Sequence, residues 1–144
     1  MRKLFIIFFC LLSGVILSCS KGGSGTVDDN TNPHNENPAD TIAPEISIQT
    51  PSENQVFSSG QLINMTGRIT DNLGLYRGTV KLTNDANGQI LKEQAYEIHG
   101  LLAYNFSVSH TASVGSTSNY TVTVSFEDHG YNTVTRSVKI KVNP

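Results

Sequence analysis

The chain has 144 residues, 38% hydrophobic and 15% charged, with no Trp and two Cys. That length accommodates one domain. Ten Lys and Arg stand against twelve Asp and Glu, a formal charge of -2. This gives neither the broad basic field that nucleic acid requires nor an acidic tail for a basic partner, so no nucleic-acid partner is expected.

Met1, Arg2 and Lys3 form a positive start, and Leu4 to Leu17 are an almost unbroken apolar run. A spanning helix needs about 20 apolar residues, more than the run holds. Its size fits a signal peptide over residues 1–18, which is set apart from the fold. The run ends Ile16-Leu17-Ser18-Cys19, which resembles the bacterial lipobox. That resemblance implies cleavage after Ser18 and lipidation of Cys19. Acyl chains contributing about 0.8 kcal/mol per buried methylene would hold the protein at a membrane without a spanning helix. Cys10 leaves with the signal, so no disulfide, cysteine nucleophile or cysteine-based metal site is expected in the folded part.

The lipidated Cys and a linker occupy residues 19–41. From Ser20 to Asp40 the chain reads SKGGSGTVDDNTNPHNENPAD, with Val27 its only large aliphatic residue. Such a segment buries too little apolar surface to offset the entropy of ordering it. Its r.m.s. reach of about 25 Å would hold a small domain clear of lipid headgroups. His34, alone in this polar stretch, reads as solvated.

Residues 42–143 read as strands. Glu45 to Gln49 alternate and stop at Thr50-Pro51. Ile63, Met65, Gly67 and Ile69 alternate with polar neighbours, as do Tyr76, Gly78, Val80 and Leu82 before the turn-forming Asn84 to Gly88. Tyr104, Phe106 and Val108 make a short strand, and Tyr120, Val122, Val124 and Phe126 the clearest one. In the last, Val134, Val138, Ile140 and Val142 share a face with Arg136, which is expected near an edge or strand end. Ile90 to Leu102 fit helical as well as strand spacing; strand is favoured because every neighbour is a strand. About seven short antiparallel strands in about 100 residues predict an all-β, immunoglobulin-like sandwich, with Tyr120 placed as a tyrosine corner. Without a Cys pair and a Trp, the fibronectin-like and cadherin-like sandwiches are the nearer expectation.

The segments Asp40-Thr-Ile-Ala-Pro44-Glu-Ile, Gly67-Arg-Ile-Thr-Asp71-Asn-Leu-Gly-Leu75 and Tyr120-Thr-Val-Thr-Val-Ser-Phe-Glu-Asp128-His-Gly-Tyr-Asn132 resemble the Ig-like domains of Bacteroidetes lipoproteins, including a family of unknown function. The resemblance covers residues 40 to 143 and implies an envelope lipoprotein, lipid-anchored at the outer membrane, without supplying a reaction. Ser20-Lys21-Gly22-Gly23 carry no acidic run after Cys19, which leaves periplasmic and surface display both open. Asp40-Thr41-Ile42 resembles the acceptor for O-glycosylation in these bacteria, which makes Thr41 a candidate modification site.

In such a sandwich the start of the first strand and two of the loops meet at one end. Asp40, Asp71, Asn72, Asp128 and Asn132 would then share a pole. Calcium takes six to eight oxygen ligands, and carboxylates with amide and backbone oxygens supply that type. The arrangement is similar to the cadherin pole, though without its DxD pair. Asp and Asn also form turns by bonding their own backbone, and that reading competes. Tyr76 and Tyr131 flank the same loops and are candidates for a small sugar platform, against packing over the end of the core. His99, His110 and His129 have no metal-ligand spacing, and no GxSxG, HExxH, P-loop or GxGxxG occurs. The expectation is a non-enzymatic module with an unknown protein or glycan partner and no cofactor other than the candidate calcium.

Overall fold

In the computed structural model, which describes residues 36–144, the alternating segments become eight strands and no helix. They are β1 (Glu45–Thr50), β2 (Gln55–Ser58), β3 (Leu62–Thr70), β4 (Leu75–Asn84), β5 (Ile90–Glu97), β6 (Ala103–Thr111), β7 (Ser118–Asp128) and β8 (Thr133–Asn143). Cys19 and the signal segment lie outside the described residues. One sheet has the order β1-β3-β6 and the other β2-β8-β7-β4-β5. Every pairing is antiparallel except β2 with β8, which run parallel. Two packed sheets in this order form an immunoglobulin-like β-sandwich.

Period-two patterning decides which residues enter the core. Ile63, Met65 and Ile69 of β3 and Phe106 and Val108 of β6 line one wall. Val80 and Leu82 of β4, Tyr120, Val122, Val124 and Phe126 of β7, and Ile140 and Val142 of β8 line the other. Each such side chain contributes about 1.5–3 kcal/mol by leaving water. Gly78 sits opposite Phe126 in the β4–β7 ladder. A Cβ at Gly78 would run into the Phe126 ring, so glycine is what lets that ring lie flat on the neighbouring strand.

Two details, β2 and Tyr76, go beyond or against the sequence reading, and two, the Ile90 segment and the edge position of Arg136, bear it out. β2 was not anticipated, because only Phe57 of its four residues is buried and so short a stretch shows no alternation. The ambiguous Ile90 segment is strand β5, ending at Glu97. Tyr76 does not share the inward face of Gly78, Val80 and Leu82. The ladder takes up an extra residue between Leu75 and Arg77, so Leu75 is the buried one and Tyr76 bulges toward the loops. Arg136 is exposed in mid-strand, before β8 meets its parallel partner β2, whose pairing covers only Ile140 to Asn143. That stretch is a sheet edge, which is how a charge sits on the apolar face.

Candidate functional site: a three-carboxylate pole

Three segments converge where β4 begins and β7 ends. In the β3–β4 loop, Asp71 Oδ2 accepts hydrogen bonds from the main-chain N–H of Leu73 (2.9 Å) and Gly74. This is the turn chemistry expected of Asp, and it turns the other oxygen, Oδ1, away from the loop's own donors. In the β7–β8 hairpin, Asp128 Oδ1 accepts from Gly130 N (2.7 Å) and Asn132 N (2.9 Å), and Oδ2 from Asn132 Nδ2 (2.9 Å). Tyr131 takes a positive φ of 63° to close this turn.

The third segment is the chain before β1. Asn37 N donates to His129 O (2.8 Å), and the Asp40 carbonyl accepts from Asn132 Nδ2 (3.0 Å). Asp40 Oδ1 accepts from Ile42 N at 3.2 Å. The segment passes so close to the hairpin that a Cβ on Gly130 would lie 2.5 Å from the Asp40 carbonyl oxygen. Glycine is therefore required at position 130 by this close contact.

The result is three carboxylates, Asp40, Asp71 and Asp128, each offering an oxygen within 4.8 Å of the others. Asp40 is 3% exposed and Asp128 fully buried. Asp40 Oδ2 and Asp71 Oδ1 are buried and have no hydrogen-bond partner. Buried carboxylate oxygens without a donor are costly, and so is the mutual repulsion of three such groups. A divalent cation among them would relieve both, and oxygen-only donors are the type that calcium selects.

The residues singled out from sequence thus divide by role. Asp40, Asp71 and Asp128 come together. Asn132 reaches them through its amide nitrogen and ties the hairpin to the segment before β1. Asn72 is exposed beside Asp71, and Thr41 is exposed beside Asp40. Tyr131 is half-exposed, and its hydroxyl donates to Glu36. That hydrogen bond, foremost among several causes, raises the phenol above its ordinary value. Tyr76 is half-buried, 4.9 Å from the His99 ring and 4.8 Å from the His129 ring, with the Arg77 guanidinium 4.8 Å from its centre. This ring cluster had no sequence signal, because it depends on the bulge that turns Tyr76 out of its strand.

The same pole carries exposed apolar side chains that sequence reading did not single out. Leu73 lies in the β3–β4 loop and Leu101 and Leu102 in the β5–β6 loop. Main-chain bonds from Asp71 N to Leu102 O and from Leu75 N to Leu101 O, each 2.9 Å, bind these two loops side by side. Ile42 lies two residues after Asp40, and its N–H donates to the Asp40 carboxylate. Together with Tyr131, these residues are between 47% and 61% exposed.

No protein-family model matches the chain, and no curated protein does. Solved structures do. A fibronectin(III)-like module of Clostridium thermocellum CbhA is 11% identical, covering 68% of this chain and 94% of that one, with a TM-score of 0.45. The periplasmic chaperone SfaE is 13% identical over 69% of this chain and 57% of its own, with a TM-score of 0.49. The CARDB domain of a Pyrococcus furiosus protein, solved in complex with di-metal ions, is 14% identical over 71% and 93%, with a TM-score of 0.40.

Proposed function

We propose that this chain is a non-enzymatic binding or assembly module of the bacterial cell envelope, lipid-anchored through Cys19 at the outer membrane, whose Asp40–Asp71–Asp128 pole holds a calcium ion. The anchor reading rests on the lipobox-like Ile16-Leu17-Ser18-Cys19, and the lineage reading on the resemblance to Bacteroidetes lipoproteins. The observation that carries the calcium site is the pair of buried, donor-free oxygens, Asp40 Oδ2 and Asp71 Oδ1, beside Asp128. In this reading the ion is structural: it joins the segment before β1 to two loops and so gives the pole one shape for a partner to meet. The non-catalytic reading is supported by the way main-chain N–H groups engage Asp71 and Asp128, which suits loop-holding better than proton transfer.

Isothermal calorimetry of the purified full chain in detergent tests the site. Saturable heat with calcium, lost in Asp40→Asn, is expected; no heat at millimolar calcium would remove the ion from the proposal. Crosslinking in intact cells followed by recovery from the membrane fraction tests the assembly role.

A carbohydrate-binding reading is favoured by one observation, the half-exposed Tyr131 ring held outward by a positive φ beside Tyr76. Glycan-array binding that disappears in Tyr131→Ala would establish it, and a blank array would dismiss it.

A further inference from the structure

The geometry points to a second use of the carboxylate pole: its apolar rim, Ile42, Leu73, Leu101, Leu102 and Tyr131, rests on the bilayer that carries the anchor, and calcium bound beneath the rim enables that contact. The inference builds on the anchor and calcium readings above. Its own ground is the direction in which the chain enters the domain. The first described residues, Glu36 and Asn37, are bonded to Tyr131 and His129 at this pole. Any anchor at Cys19 therefore pulls on the rim end of the sandwich and not on the far end, where β2 and the end of β8 pair.

Sixteen residues separate Cys19 from Glu36, a length of chain that spans at most about 60 Å even fully extended. That confines the pole to the neighbourhood of the headgroups at high effective concentration. Four aliphatic side chains are about half-exposed at this pole, three on the two bonded loops and Ile42 on the segment before β1, the kind of surface that marks an interaction site. An interfacial contact needs only apolar groups inserted about 5–10 Å, with amphipathic rings such as Tyr at headgroup level. Three clustered carboxylates behind the rim, two of them with a donor-free oxygen, oppose its approach to a low-dielectric phase, and a divalent cation removes that opposition. The spacer then sets reach, while the rim holds the domain against the membrane instead of clear of it.

The absence of Trp from the chain permits a direct test. Full-length chains carrying Leu102→Trp, Leu101→Trp or Val56→Trp are reconstituted in phosphatidylethanolamine–phosphatidylglycerol vesicles with brominated acyl chains. All three sites are exposed, and Val56 lies on β2 at the far end. With millimolar calcium, roughly twofold or greater quenching is expected at the two loop reporters and none at Val56→Trp, and chelation should reverse it. An anchored chain whose loop reporters stay unquenched, equal quenching at both ends, or rim residues crosslinked to a second copy or another protein would each overturn the inference. Failure of the anchor is read separately, as chain released by an alkaline wash. Quenching by added vesicles of the Cys19→Ser form of each reporter chain then still decides for or against the rim.

Discussion

Asp40 and Asp71, from the segment before β1 and from the β3–β4 loop, each end in a buried carboxylate oxygen without a donor, and oxygens of the two groups lie within 4.8 Å. Neither loop's own hydrogen bonds explain this, since each residue satisfies its local turn with its other oxygen. Two half-used carboxylates aimed at a third, Asp128, is the arrangement of a cation site, whereas turn-forming Asp residues alone would not need to meet.

Calcium is expected to raise the melting temperature of the full chain. At a concentration 100 times the dissociation constant, linkage contributes about 2.7 kcal/mol, which corresponds to a rise of about 10 °C for a domain of this size. Asp71→Asn removes one of the repelling charges, so its calcium-free melting temperature should equal or exceed that of the parent, while its calcium response disappears. Calorimetric scans with and without chelator check both signs. A response that survives in Asp71→Asn would place the ion elsewhere.

Asn132→Ala is expected to cost about 1–3 kcal/mol in urea unfolding. The variant removes the amide that donates to both Asp128 Oδ2 and the Asp40 carbonyl. The loss should exceed that of Asn72→Ala, whose side chain is exposed. Equal effects would show that the bridge between hairpin and entering segment is unimportant.

Gly78→Ala should destabilise the sandwich by about 1–3 kcal/mol, because the added methyl meets the Phe126 ring across the β4–β7 ladder. In a Phe126→Leu background the same change should cost less, since the ring is gone and only the Ser125 carbonyl, 2.5 Å from the added Cβ, stays in its way. A double-mutant cycle from denaturant midpoints measures this coupling.

Burial first, and then the Lys92 ammonium, hold the His110 imidazole below its ordinary value of 6.5. The folded state thus favours the neutral ring. That contribution is complete above about 6.5 and is lost as pH falls from there through the lowered folded value. His110→Gln should therefore lose less stability than the parent as pH falls below about 6.5. Parallel curves for the two proteins would assign the loss to other groups.

Every strand except β2 was legible in the sequence, because a two-residue period that buries one face sets which side chains point inward. Ile63, Met65 and Ile69, or Val122, Val124 and Phe126, entered the core as their alternation required. The common pole of Asp40, Asp71 and Asp128 was legible only through the expected immunoglobulin-like strand order, which puts those loops together. Tertiary structure decided what depends on ladder irregularity and on contacts between distant segments. The extra residue between Leu75 and Arg77 turned Tyr76 from core to loop, and β2, whose parallel pairing begins only at Ile140, left the edge where Arg136 is exposed. The donor-free oxygens of Asp40 and Asp71 and the apolar rim of Ile42, Leu73, Leu101 and Leu102 belong to the same class. Whether a loop side chain is satisfied or exposed is set by neighbours far away in the chain, and no periodicity in the sequence encodes that.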